Sequence, residues 1–114
     1  PPGQLIDIGG YKLHLYTMGK SRPTVIFDHS LGGIEGYLLI EEIAKIARVC
    51  IYDRAGYGWS ERSPHKRSSE QIVKELDTLL TNAGMEPPYI LVGDSFGSYN
   101  VRLYTYEYPE KLSE

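Results

Sequence analysis

From Lys12 to Tyr16 apolar and polar side chains alternate, with Leu13 and Leu15 on one side and Lys12, His14 and Tyr16 on the other. That period of two marks a strand with one covered and one solvated face. The stretch LIDI before it is separated by Gly9-Gly10, two positions that accept positive φ, so the pair predicts a β-hairpin. After the polar turn GKSRP the alternation disappears. TVIFDH, RVCIYD and PPYILVGDS are almost continuous apolar runs, as expected of strands covered on both faces of a sheet. Between these runs the period becomes helical. YLLIEEIAKIA places Leu39, Ile43 and Ile46 on one face with Glu41, Glu42 and Lys45 turned elsewhere. SSEQIVKELDTLLTNAG carries an apolar stripe of Ile72, Leu76, Leu79 and Leu80, with Ser68 or Ser69 to cap its first turn and Gly84 to close its last. A third helix-like stretch follows Ser95. The order predicts an α/β fold: a mostly parallel sheet with an N-terminal antiparallel hairpin and crossover helices.

Composition narrows the function. A chain of 114 residues holds one domain or part of one, and Pro1-Pro2 in place of an initiating Met reads as a trimmed start. The net charge of −3, with cations scattered among acids, offers no basic stripe for phosphate backbones, so nucleic acid is not an expected partner. Nothing approaches the roughly 18 consecutive apolar residues of a membrane span. The single cysteine, Cys50, lies among β-formers, cannot form an internal disulfide, and fits a reducing, cytoplasmic location.

Candidate chemistry lies in Gly93-Asp94-Ser95-Phe96-Gly97, where a run of β-formers turns at once into a helix. A nucleophile elbow holds its serine in a strained turn, and strand and helix approach so closely that the residues two before and two after must be very small. Gly93 and Gly97 satisfy this for Ser95. Asp94 fails the same test, because its flanks would be Val92 and Phe96. An ordinary strand-to-helix turn is the other reading of the same residues. The remaining polar residues carry blander expectations. His29 orients its loop, His14 lies on a solvated strand face, and His65 sits exposed in SPHKR. Asp53 and Arg54 hold the turn after the fourth strand. Trp59 either lines a pocket or covers that loop, and Tyr99, Tyr104, Tyr106 and Tyr108 pack the last helix.

Three loops taken in order, DHSLGG after the third strand, YDRAGYGWS after the fourth and GDSFG after the fifth, resemble those of the α/β-hydrolase fold superfamily in its esterase-like and aminopeptidase-like branch. The resemblance implies Ser95 as nucleophile, with the backbone N–H groups of Phe96 and Leu31 as oxyanion hole, Gly32 and Gly33 in the oxyanion loop, and Gly93 and Gly97 in the elbow. Ser30 stands where the family usually has glycine. The absence of a proline just after His29 speaks against the epoxide-hydrolase and dehalogenase branches, which also use an aspartate at the Ser95 position. The implied reaction is cleavage of an ester, thioester or amide in a small acyl substrate through an acyl-enzyme, with no cofactor and no metal.

In that family the chain order is serine, then acid, then histidine. The 19 residues after Ser95 contain no aspartate and no histidine, and Glu107 and Glu110 fall on or just behind the same helix. Residues 1–114 are therefore expected to be the N-terminal part of a single α/β-hydrolase domain without its later strands. The fifth strand would then present an open edge, and the acid and histidine would come from a second polypeptide or a continuation. By itself such a chain would be inactive. A non-catalytic binding or assembly module on the same scaffold is the alternative.

Overall fold

The computed structural model describes residues 3–28, 40–93 and 96–113. Five strands, β1 (Gln4–Asp7), β2 (Lys12–Met18), β3 (Thr24–Asp28), β4 (Arg48–Tyr52) and β5 (Tyr89–Gly93), form one sheet in the order β1-β2-β4-β3-β5. β2 runs antiparallel to both β1 and β4, and β3 lies parallel to β4 and β5. Helix α1 (Ser69–Asn82) crosses from β4 to β5, α2 (Phe96–Glu107) follows β5, and a single 3-10 turn covers Pro109–Lys111. This is the expected α/β architecture with its N-terminal hairpin. The hairpin turn places Gly9 at φ +125° and Gly10 at φ +98°. Asp7 Oδ1 accepts both of their amide protons at 2.8 Å, and those bonds hold its carboxyl below the usual aspartate range.

Strand alternation splits the core into two layers. Ile26, Cys50 and Tyr52 join Leu13, Leu15 and the stripe of α1 on one face, where Tyr104 of α2 also packs. Val25, Phe27 and Val49 face the other way against Ile40 and Ala47. Full burial of each such aliphatic or aromatic side chain contributes roughly 1.5–3 kcal/mol. Cys50 is fully buried, and desolvation pushes its thiol pKa far up, so it packs as a hydrophobe.

Helix α1 begins where Ser68 Oγ accepts the Gln71 N–H at 3.1 Å and ends before Gly84 at φ +74°. Its buried stripe contains one acid. Glu75, 3 % exposed, takes Arg67 Nη2 on Oε1 at 2.7 Å and Tyr11 Oη on Oε2 at 2.7 Å, with Gln71 Nε2 at 3.3 Å. Burial pushes the carboxyl up, but hydrogen bonds from Arg67, Ser63, Tyr11 and Gln71 outweigh it and hold Glu75 below its ordinary value.

Three expectations are corrected. His14 is 4 % exposed rather than solvated, because the loop after β4 folds over that side of β2. Helical structure spans residues 40–44 and then turns, which leaves Ile46 76 % exposed, while Ile40 and Ala47 take the buried positions. Leu39 lies outside the described residues. β5 is not covered on both faces: Tyr89 is buried under the helices, whereas Ile90 and Val92, pointing the other way, are 41 % and 38 % exposed. Among the described residues only β3 pairs along its length. On its free side Leu112 forms a single parallel bridge to Tyr89, with Ser113 N–H on Tyr89 O at 2.8 Å.

Candidate active site at the carboxyl edge of the sheet

Strand register brings the three loops to one row. Asp28, the last residue of β3, is paired with Gly93, the last residue of β5. On the other side of β3, Phe27 pairs with Ile51, so Tyr52, the last residue of β4, stands level with Asp28. The segments beginning at residues 29, 53 and 94 thus leave the sheet from adjacent strands at the same carboxyl edge, about 4.8 Å apart. That edge is where parallel α/β sheets collect their ligands.

At the β5 position only residues 94–95 separate strand from helix, since β5 ends at Gly93 and α2 starts at Phe96. A strand-turn-helix of this tightness is the context a nucleophile elbow requires. The first four N–H groups of any helix lack intrahelical partners, and the helix dipole adds partial positive charge there, so the Phe96 amide, the first of α2, has no acceptor within its own helix. Ser95 itself, with Asp94, His29, Ser30, Leu31, Gly32 and Gly33, lies outside the described residues, while the backbone of Gly97 lies in the first turn of α2. Glu107 and Glu110 are exposed at the opposite end of α2 and behind it.

The loop after β4 is built around Asp53, as expected for a turn-holding residue, but its partner is one the alternation pattern concealed. Asp53 Oδ2 lies 3.1 Å from His14 Nδ1 and accepts the Trp59 N–H at 3.0 Å. His14 Nε2 accepts the Gly3 N–H at 2.9 Å, which places the proton of the neutral ring on Nδ1, facing Asp53. Ser60 Oγ donates to Asp53 O at 2.5 Å and accepts the His14 N–H at 2.8 Å. Gly58 runs so close to the Asp53 carboxylate that any Cβ there would collide with it, and its φ of +50° also favours glycine. Both ring nitrogens of His14 are engaged within the fold, so it is a structural histidine and not a free base. The sequence signal for this node was an aspartate at a strand end with glycines three and five residues on; the histidine carried none.

An open cleft of about 740 Å³ separates the β1–β2 turn from this loop, lined by Gly9, Gly10, Tyr11, Gly56 and residues 60–64. His65 is exposed, its ring edge-on to Tyr11 at 5.9 Å. In α2, Tyr104 is fully buried and donates to Asp77 Oδ1 at 2.8 Å, the packing role expected of it, and the ring of Tyr108, just past the helix, tilts against it with centroids 4.8 Å apart. Tyr99 and Tyr106 depart from that expectation, at 60 % and 81 % exposed. Asn100 is fully buried, and its amide has no hydrogen-bond partner among the described residues. Among the described residues no group of three or more His, Cys, Asp or Glu could hold a metal ion, and no helix is long and apolar enough to cross a membrane.

With that edge in place, the class follows. The chain belongs to the alpha/beta hydrolase fold family, whose model matches residues 23–114. The uncharacterized protein YbdG of Bacillus subtilis (strain 168) is 28 % identical over 114 residues, a match covering 96 % of this chain and 35 % of the relative. YqjL of the same organism, also uncharacterized, is 37 % identical over 94 residues, covering 80 % of this chain and 37 % of YqjL. Among solved structures, the meta-cleavage product hydrolase CumD of Pseudomonas fluorescens IP01 superimposes with a TM-score of 0.84 at 20 % identity, over 98 % of this chain and 43 % of that one. The chain thus spans little more than a third of the length of these curated relatives.

Proposed function

We propose that this chain carries the nucleophile and oxyanion hole of a serine hydrolase acting on ester, thioester or amide bonds. The observation that carries the reading is the two-residue passage from β5 to α2 at residues 94–95, next to the end of β3. Ser95 Oγ attacks the acyl carbonyl, the N–H groups of Phe96 and Leu31 receive the developing oxyanion, and water then releases the acyl-enzyme. A histidine must take the Ser95 proton and an acid must hold that histidine. His14 is excluded from that task by its two partners, and the family's order of serine, acid, then histidine assigns both groups to polypeptide beyond these residues, in a continuation or a second chain. Residues 1–114 then form the N-terminal part of one hydrolase domain. The parallel bridge at Leu112 supports this, because it shows the free side of β5 accepting parallel pairing. The buried, unpaired Cys50 accords with a cytoplasmic location.

The test is fluorophosphonate labelling of the complete protein, read by mass spectrometry of every polypeptide present, with Ser95→Ala as control. An adduct on the Ser95 peptide that disappears in the variant supports the reading. Folded protein that stays unmodified overturns it in favour of a non-catalytic binding module, since an unactivated serine is inert to such reagents.

A further inference from the structure

The loop after β4 displays two large aromatic side chains to solvent, Tyr57 at 67 % and Trp59 at 57 % exposure. Exposed aromatics usually sit on mobile tips, but this segment is wound into two consecutive turns, Tyr57 N–H to Arg54 O and Ser60 N–H to Tyr57 O, each 2.9 Å. Gly56 N–H is tied to Glu61 O at 2.9 Å as well. The Trp59 backbone is pinned by the Asp53 carboxylate, and its indole leans on the buried His14 ring at 6.4 Å between centroids. A hydrophobic surface held in one conformation binds without first losing conformational entropy. The loop that carries it leaves the sheet at the carboxyl edge, from the end of β4, level with the ends of β3 and β5.

We propose that Trp59 is a specificity-determining residue that contacts the far, apolar end of the substrate, with Asp53 and His14 as the residues that position it. The proposal rests on the serine-hydrolase reading of Ser95. In the strand order, β4 is two places from β5 and β2 is three, so an indole resting over His14 of β2 lies on the order of 10–14 Å from the elbow. At that span Trp59 touches no reacting atom, and it discriminates by substrate length and apolarity. A short acyl group never reaches it, whereas an extended alkyl chain covers the indole and displaces water from it. Binding energy gained so far from the carbonyl enters kcat/KM for long substrates alone.

The experiment compares kcat/KM of p-nitrophenyl octanoate with that of p-nitrophenyl acetate in the complete protein, for the wild type, Trp59→Ala and Trp59→Phe. The octanoate-to-acetate ratio should fall about tenfold in Trp59→Ala, chiefly through the KM of the long ester, and recover in Trp59→Phe. An unchanged ratio overturns the proposal. A second readout is independent of turnover: decanoate is titrated while indole emission is followed, with Trp59→Phe subtracted. A saturating change in the Trp59 contribution supports the contact, and no change overturns it. Should no ester be cleaved and Ser95 resist fluorophosphonate, the serine-hydrolase reading fails, and the decanoate titration still decides the role of Trp59.

Discussion

The two ends of the sheet are held together by different means. Around β2 and β4 a set of side chains bonds to one another: His14 with Asp53, Glu75 with Arg67 and Tyr11, Ser60 with both His14 and Asp53. Around β5 and α2 one face of the strand is half open, Tyr99 and Tyr106 stand in solvent, and the buried Asn100 amide lacks a partner among the described residues. Each orphaned buried polar group costs on the order of 1–3 kcal/mol, so native folds seldom leave one. The β2–β4 end is thus tied by side chains reaching across some forty to sixty residues of sequence, whereas β5 and α2, where the candidate nucleophile sits, leave more apolar surface in solvent.

Substitutions can break that contrast. The largest effect is expected in the layer behind β3 and β4, where Phe27→Ala should cost about 3–5 kcal/mol by chemical denaturation, because Phe27 is 2 % exposed among close neighbours. Glu75→Ala should cost roughly 3 kcal/mol, since Arg67 and Tyr11 lose their buried acceptor, although the partly exposed Arg67 recovers some hydration. Asp53→Ala should cost about 2 kcal/mol through the freed Trp59 and His14 donors, and should raise proteolytic nicking between Arg54 and Ser60. Ser68→Ala should remove about 1 kcal/mol with the α1 cap. At the other end, Val92→Lys should change stability by no more than about 0.5 kcal/mol, in contrast to the same substitution at the buried Val49.

Titration sharpens the same comparison. Glu75 has a folded-state pKa below its ordinary 4.5, so its contribution is present above that value and disappears as pH falls through the folded pKa. A Glu75→Gln variant should show a shallower loss of stability below about pH 4.5. At the β5 end the sign reverses. Burial pushes Tyr89 up to about 12, so its contribution is intact below 10.0 and is lost as pH rises toward about 12. Tyr89→Phe should flatten that alkaline loss.

Much of this was legible along the chain. Gly9-Gly10 marked the hairpin, Ser68 and Gly84 bounded α1, and the spacing of Gly93 and Gly97 about Ser95 marked a strand passing directly into a helix. These signals are local, because each depends on residues within one turn of one another. His14 was misread for the opposite reason. Its period-two position is correct for a strand, but the cover on that face comes from Asp53 and Trp59, some forty residues on. Ile90 and Val92 erred in the other direction, since an apolar run looks the same whether its second face is packed or bare.

By itself, then, the sequence determined the elements, their order and the identity of the candidate nucleophile, because backbone propensity, capping and hydrophobic period act over a few residues. Only the tertiary structure decided that the loops beginning at residues 29, 53 and 94 leave the sheet from one row, since strand register is a long-range property. It also decided that His14 is spent on holding Asp53 instead of serving as a base. A histidine is a base or a strut according to what approaches its two nitrogens, and those partners are set by the packing of distant segments.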